Sequence, residues 1–303
     1  IKIKKRNNIF PSRGFLFRLL DSLFASFYQQ DINHITGDVH YLTYFLSKKK
    51  TILTIHDCGI LENSKGFKFI FRWFFWFWFP NQCCEVITVI SEPVKTNLLK
   101  FIKCKPSKIK VINNMVSSEF KPYLKIFNDT FPRILHIGLK ENKNLLNHAK
   151  ALKEINCLLV IIGKPSEKDI FILKENNIKY EIHFDLSRKE VLEEYKKCDL
   201  LLFASTYEGF GLPILEAQAV GRPVLTSNIS PINKIVGEGA YLVDPFDPFS
   251  IKEGILKIIN DKKLRTFLIN SGYENVQKYS AQKISRQYFS IYKSLYLKNK
   301  KIK

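Results

Sequence analysis

The stretch DLLLFASTYEGFGLPILEAQAVGRPVLTSN, residues 199 to 228, holds the residues whose types and spacing best suit chemistry. An apolar run enters a loop of Glu208, Gly209, Phe210, Gly211 and Leu212, and a helix carrying Glu216 follows. In an open α/β sheet, ligands sit at the carboxyl ends of the strands, so this loop faces a binding edge. Its glycines let a ligand approach the backbone, and the start of the helix offers free N–H groups and a partial positive charge to phosphate. A carboxylate one turn into that helix can accept hydrogen bonds from paired hydroxyls, as a ribose presents them. One glutamate on the loop and one on the helix need not face each other across a bond, so they do not read as a hydrolase acid/base pair, although such a pair can be assembled from any distance in sequence. Taken only as two glutamates around glycines, they also fit an ordinary helix N-terminus.

Other candidate groups are simpler. Lys140 and Lys143 lie in LKENK, which reads either as a cationic site for an anion or as a solvated charge run. His34, His40 and His56 fall at strand ends with Asp38 and Asp57 nearby, and a lone histidine is more often structural than catalytic. The six cysteines form no C-x-x-C pair, which suggests neither a zinc site nor a disulfide framework. No residues have metal-ligand spacing.

The elements that position these groups follow from the alternation of short β-branched runs with longer helical stretches, the pattern of parallel sheets covered by helices. A first block holds DINHIT, KTILTIHD, EVITVIS and KIKVINN, and ends near Pro122. A second holds RILHIGL, LLVIIGK, KYEIHFD, DLLLFAS, PVLTSN and AYLVD. The aperiodic FKPYLKIFNDTF, residues 120 to 131, marks the connection, giving domains of 1 to 122 and 130 to 280. Residues 281 to 303 form a last helix whose apolar face, with Ile284, Tyr288, Ile291, Tyr292 and Leu295, must cover a surface, most simply on the first domain.

The chain has 303 residues and a net charge of +20, which suits nucleic acid, an anionic membrane surface or phosphorylated ligands. No run of about 18 uncharged apolar residues exists and no secretory signal is evident, so the cytoplasm is the expected compartment. Residues 67 to 79, FKFIFRWFFWFWF, are too short to span a bilayer. They read either as a buried helix or as one lying at the inner face of a membrane beside Lys65, Lys68 and Arg72.

The run EGFGLPILEA followed by G-R-P-V resembles the donor-site signature of family 4 glycosyltransferases, retaining enzymes of GT-B architecture. HITGDVHYL, TIHD, ITVISEPVK, IKVINN, HIGLKENKNLLNHAKAL and CDLLLFAS resemble further family segments in the family's order. The resemblance implies two Rossmann-like domains facing a central cleft, and a metal-independent transfer from a UDP-, GDP- or dTDP-sugar to a saccharide or lipid-linked acceptor, without a cofactor. It implies that Glu208 approaches the donor sugar, that Glu216 holds the ribose, and that the amides of Gly209, Phe210, Gly211 and Leu212 touch sugar and diphosphate. Lys143 matches the family's diphosphate lysine; Leu139 stands where an arginine is usual, leaving Lys140 as the nearby replacement. His56 matches a segment bordering the reacting sugar.

Family members begin with a strand and glycine-rich loop that cannot be found before DINHIT, so the first domain reads as incomplete, lacking roughly 40 to 70 residues by ordinary βα lengths. Bacterial surface polysaccharide synthesis is the setting the resemblance suggests. A same-architecture epimerase or phosphorylase is the alternative, separated by product analysis with and without acceptor. A non-catalytic membrane or nucleic-acid binder would bind in a salt-dependent way that survives loss of both glutamates, and no nucleic-acid motif is recognisable.

Overall fold

A computed structural model describes residues 3–10 and 14–300. Two units emerge, one of residues up to Asn113 together with Ile284 onward, the other Asn114–Lys283.

The first unit contains a four-stranded parallel sheet, ordered β1 (Asn33–Ile35), β2 (Thr51–Ile55), β3 (Val86–Val89), β4 (Ile109–Val111). All of β2 is buried, as expected of an interior parallel strand that reads as a continuous apolar run. Helices Phe15–Ser26, Gly66–Arg72 and Glu92–Phe101 belong to this unit, the last opened by Ser91, whose hydroxyl accepts from the amide of Val94. The chain-terminal helix Ala281–Lys300 brings Tyr292 to the sheet, where its hydroxyl meets His34 Nδ1 at 2.6 Å. His34 Nε2 lies 2.7 Å from Thr54 Oγ1, which lies 2.7 Å from Thr88 Oγ1, a polar chain across three strands.

The second unit is a six-stranded parallel sheet built from β5 (Arg133–Ile137), β6 (Leu158–Ile162), β7 (Tyr180–His183), β8 (Leu200–Phe203), β9 (Val224–Ser227) and β10 (Tyr241–Val243). Their spatial order is β10-β9-β8-β5-β6-β7. The chain starts in the middle, proceeds outward through β6 and β7, then returns to β8 on the other side of β5. The β5/β8 junction is therefore the topological switch point, where diverging loops leave a crevice for a ligand. Leu159, Ile161, Leu200, Leu202 and Leu225 fill the core beneath helices such as Pro248–Asn260, supplying Ile251, Ile255 and Ile258.

All ten expected strands form. The two compact units divide in sequence at Asn113–Asn114, so residues 120 to 131 belong to the second. Residues 120 to 131 lack periodicity because they are strapped to the second unit by individual bonds. The Tyr123 amide donates to Val220 O, and Asp199 takes the amide of Asn128 and the ammonium of Lys125. No helix among the described residues is long and apolar enough to cross a membrane.

Candidate functional site

The switch point of the second unit holds two loops, one after β5 and one after β8. After β5 the chain passes Gly138 at φ +88°, a backbone conformation that strongly favours glycine. A Cβ there would come 3.1 Å from Lys143 Cγ and 3.2 Å from Cε, so the glycine also leaves room for the lysine stem to fold back over the end of the strand. Lys143 Nζ lies 4.5 Å from the centroid of the Phe203 ring and forms an ion pair with Glu208 from the β8 loop. Both side chains are mostly shielded, 17% and 12% exposed, so the pair is far less screened than one in free solvent.

The two loops are tied together by backbone and amide bonds. Asn142 Nδ2 donates to Tyr207 O at 2.8 Å, and the Thr206 amide donates to Asn142 O at 2.9 Å. Asn144, left-handed at φ 66°, donates to Ala204 O and Pro245 O. His148 Nε2 lies 3.3 Å from the same Ala204 carbonyl, which can only accept, so that nitrogen carries the proton. His136 Nδ1 then donates to His148 Nδ1 at 3.0 Å. Burial holds both imidazoles below their ordinary value, His136 at about 4, so this pair is a neutral brace under the loop.

Beyond Glu208 the loop enters the helix Leu212–Val220 through Gly211 at φ +96°. No side chain caps this end, and Pro213 removes one N–H, leaving the Leu212 amide at an uncapped, dipole-positive terminus. Phe210 is buried with its ring edge-on to Tyr279, so it anchors the loop, and only its backbone remains for a ligand. Glu216 Oε2 accepts from the Tyr195 hydroxyl at 2.8 Å. Tyr195 is fully buried on the helix Arg188–Lys197, and Phe120 packs edge-on to it. Burial pushes the Glu216 carboxyl above its ordinary value of 4.5; the Tyr195 hydrogen bond and the Arg188 charge oppose that rise without cancelling it.

Tyr195→Phe removes the hydroxyl that favours the charged form, so Glu216 is expected to titrate at a still higher pH in the variant. Carboxyl-selective NMR titration of both proteins checks this. The sign for stability follows: with its folded value above the unfolded one, Glu216 contributes stability that is complete below 4.5 and is lost as pH rises through its folded value. An unchanged Glu216 titration in the variant would mean that the hydroxyl does not hold this carboxylate.

The sequence-derived residues divide between the units. Lys143 and Glu208 come together, and Glu216 lies one element further along the same loop and helix. Lys140 is exposed, with no side-chain hydrogen bond or ion pair among the described residues, so it does not join the Lys143–Glu208 pair. In the first unit His56 follows β2 at the carboxyl edge of its sheet and is exposed. His40 is buried with Nδ1 donating to Trp76 O, and His34 is held at about 4 by burial, so both are structural. Asp38 is exposed, and Asp57 accepts from the Gly59 amide. Tyr195, Asn142, Asn144 and the histidine pair were not singled out by sequence, because their roles depend on contacts between distant segments. Arg222, in the G-R-P-V run, is buried and donates to the carbonyls of Tyr195, Lys196 and Tyr123; it clamps the Tyr195 helix to the Glu216 helix. No group of three or more His, Cys, Asp or Glu able to hold a metal occurs among the described residues.

Two parallel-sheet Rossmann-like units, with a cation and carboxylate joined at the switch point of the second, match the GT-B fold of solved glycosyltransferase structures. A family model described as Glycosyltransferase Family 4 matches residues 3–120, and one described as Glycosyl transferases group 1 matches residues 127–275. The chain belongs to this family 4 type. It is 30% identical over 254 residues to an uncharacterized glycosyltransferase of Methanocaldococcus jannaschii, covering 80% of this chain and 68% of that protein. It is 29% identical over 261 residues to the capsular polysaccharide biosynthesis glycosyltransferase CapM of Staphylococcus aureus, covering 77% and 67%. The fold resembles that of Anabaena HepE, crystallised in complex with UDP and glucose, at TM-score 0.74 and 16% identity over 92% of this chain and 81% of that one.

Proposed function

We propose that this glycosyltransferase moves a sugar from a nucleoside-diphosphate sugar to a saccharide or lipid-linked acceptor with retention of anomeric configuration and without a metal ion. The observation that carries the proposal is the Lys143–Glu208 pair at the switch point, next to an uncapped helix start and one element from Glu216. The chemistry fits a diphosphate leaving group. Negative charge grows on the departing oxygen, and a pre-placed ammonium with helix-end amides stabilises it in a shielded site. Lys143 takes that role, with the amides of Gly209, Phe210, Gly211 and Leu212 around it. Exposed Lys140 is the second cation of the proposal and swings in only when a ligand is present. Glu208 approaches the donor sugar, Glu216 accepts from the ribose hydroxyls with the oxygen that Tyr195 leaves free, and His56 contacts the reacting sugar. The relation to CapM supports surface polysaccharide synthesis as the setting, and the UDP bound to HepE supports UDP as the first donor to try.

Calorimetry against UDP, GDP, ADP, dTDP and their sugar conjugates tests the reading. One nucleotide is expected to bind saturably, and Glu216→Ala to weaken it by about 1 to 3 kcal/mol, the range for a lost hydrogen bond to a charged group. With that donor and excess EDTA, NMR of the product is expected to give the donor's own anomer. Binding that Glu216→Ala leaves untouched would remove the ribose role, and an inverted product or one requiring metal would remove the mechanism.

A further inference from the structure

The aromatic segment has two faces, and only one is buried. Gly66–Arg72 is α-helical and Trp73–Trp78 continues as a wider π-helical turn. Trp76 and Phe77 are buried, Trp73 Nε1 donates to Phe101 O at 2.6 Å, and the Phe69 ring lies 6.2 Å from that of Phe101. The opposite face carries Phe67, Ile70, Phe71 and Phe74, which are 80%, 57%, 37% and 36% exposed. Their spacing of i, i+3, i+4, i+7 makes one continuous apolar stripe in solvent. Phe15, half exposed on the helix Phe15–Ser26, meets Phe75 edge-on at 5.3 Å and widens the patch.

Charge lies beside the stripe in a consistent place. At about 100° per residue, Lys68 and Arg72 share the helix side between the exposed stripe and the buried Phe69–Trp73 face, and Lys65 precedes the helix as its N-cap. No Asp or Glu occurs in sequence between Glu62 and Glu85, so the segment itself carries only positive charges within a chain of net charge +20. Aromatic rings projecting outward with cations along one flank match the acyl and headgroup layers of an anionic bilayer; an ordinary protein partner would not require a segment whose only charges are positive.

We propose that the face formed by Phe67, Ile70, Phe71 and Phe74, flanked by Lys65 and Lys68, docks this protein on the surface of an anionic lipid bilayer, with the helix lying in the interface plane. The rings enter the boundary of the acyl chains while the lysines reach anionic headgroups.

Flotation of the whole chain with phosphatidylglycerol–phosphatidylcholine vesicles tests this, with pure phosphatidylcholine vesicles as the neutral arm. Phe67 and Ile70 are the most exposed of the four, so F67S/I70S should leave the thermal melt unchanged. It should lower partition into the anionic vesicles by about tenfold or more, since each 1.4 kcal/mol of lost apolar transfer is a factor of ten. K65E/K68E should weaken binding to the anionic vesicles only, and added salt should do the same. Equal flotation of F67S/I70S and the natural chain would overturn the proposal, as would no flotation at all. A self-associated species that F67S/I70S dissociates, without vesicle binding, would assign the face to contact between two copies.

Discussion

Glu208→Gln is expected to lower the rate of transfer at saturating donor by about two orders of magnitude, while a nucleoside diphosphate binds at least as tightly as before. The first half rests on charge at the reacting centre, where removal of one pre-placed electrostatic group typically costs about 10²–10³ in turnover. The second half comes from the ligand-free geometry. Lys143 Nζ is occupied by Glu208 Oε1 in a shielded setting, so the carboxylate holds the place at the ammonium that a diphosphate oxygen takes on binding. A diphosphate must therefore displace an internal anion. Glutamine keeps the size and loses the charge, which releases the cation for its ligand. Initial rates at saturating donor, with calorimetric titration of the diphosphate, separate the two effects. Unchanged turnover would sink the role given to Glu208. Markedly weaker diphosphate binding would show that the pair orders Lys143 rather than competing with the ligand.

The strands were legible because each is a short β-branched or leucine-rich run bounded by turn residues, and β2 and β8 are buried on both faces as such runs require. The glycines around the site were legible for a related reason: Gly211 needs a conformation that side chains disfavour, and such residues stand out in a sequence. Pairing between distant positions is a different matter. Lys143 and Glu208 are 65 residues apart, and nothing local announces that they meet. Tyr195 looks like any apolar position on an amphipathic helix until its hydroxyl is seen against Glu216. The 120 to 131 segment is quiet for the opposite reason. Its irregularity is real, but a strap held by single hydrogen bonds leaves no periodic trace to distinguish it from a free connection. The aromatic helix was ambiguous because both faces are apolar, and hydrophobic content alone cannot say which of them the fold covers.

Lys143→Met is the companion experiment. Methionine keeps the aliphatic stem that lies against Gly138 and discards the ammonium, so the loop path is retained and the charge alone is tested. Turnover is expected to fall by about 10²–10³, with a smaller rise in donor KM, because the ammonium matters most when charge is developing on the leaving diphosphate. The variant also leaves the shielded Glu208 carboxylate without its partner, which should lower folding stability by about 1–3 kcal/mol. This makes the double variant informative. Once Glu208 is glutamine there is no orphaned carboxylate, so K143M/E208Q should melt at a higher temperature than K143M alone. The two single losses in stability should then sum to more than the loss in the double variant, the signature of two groups in direct contact. Thermal melts of the four proteins, set beside their initial rates, measure both couplings. Additive stability losses would mean that the pair seen without ligand contributes nothing to the fold. Additive losses in log rate would mean instead that Lys143 and Glu208 act on the reaction independently, one at the diphosphate and one at the sugar.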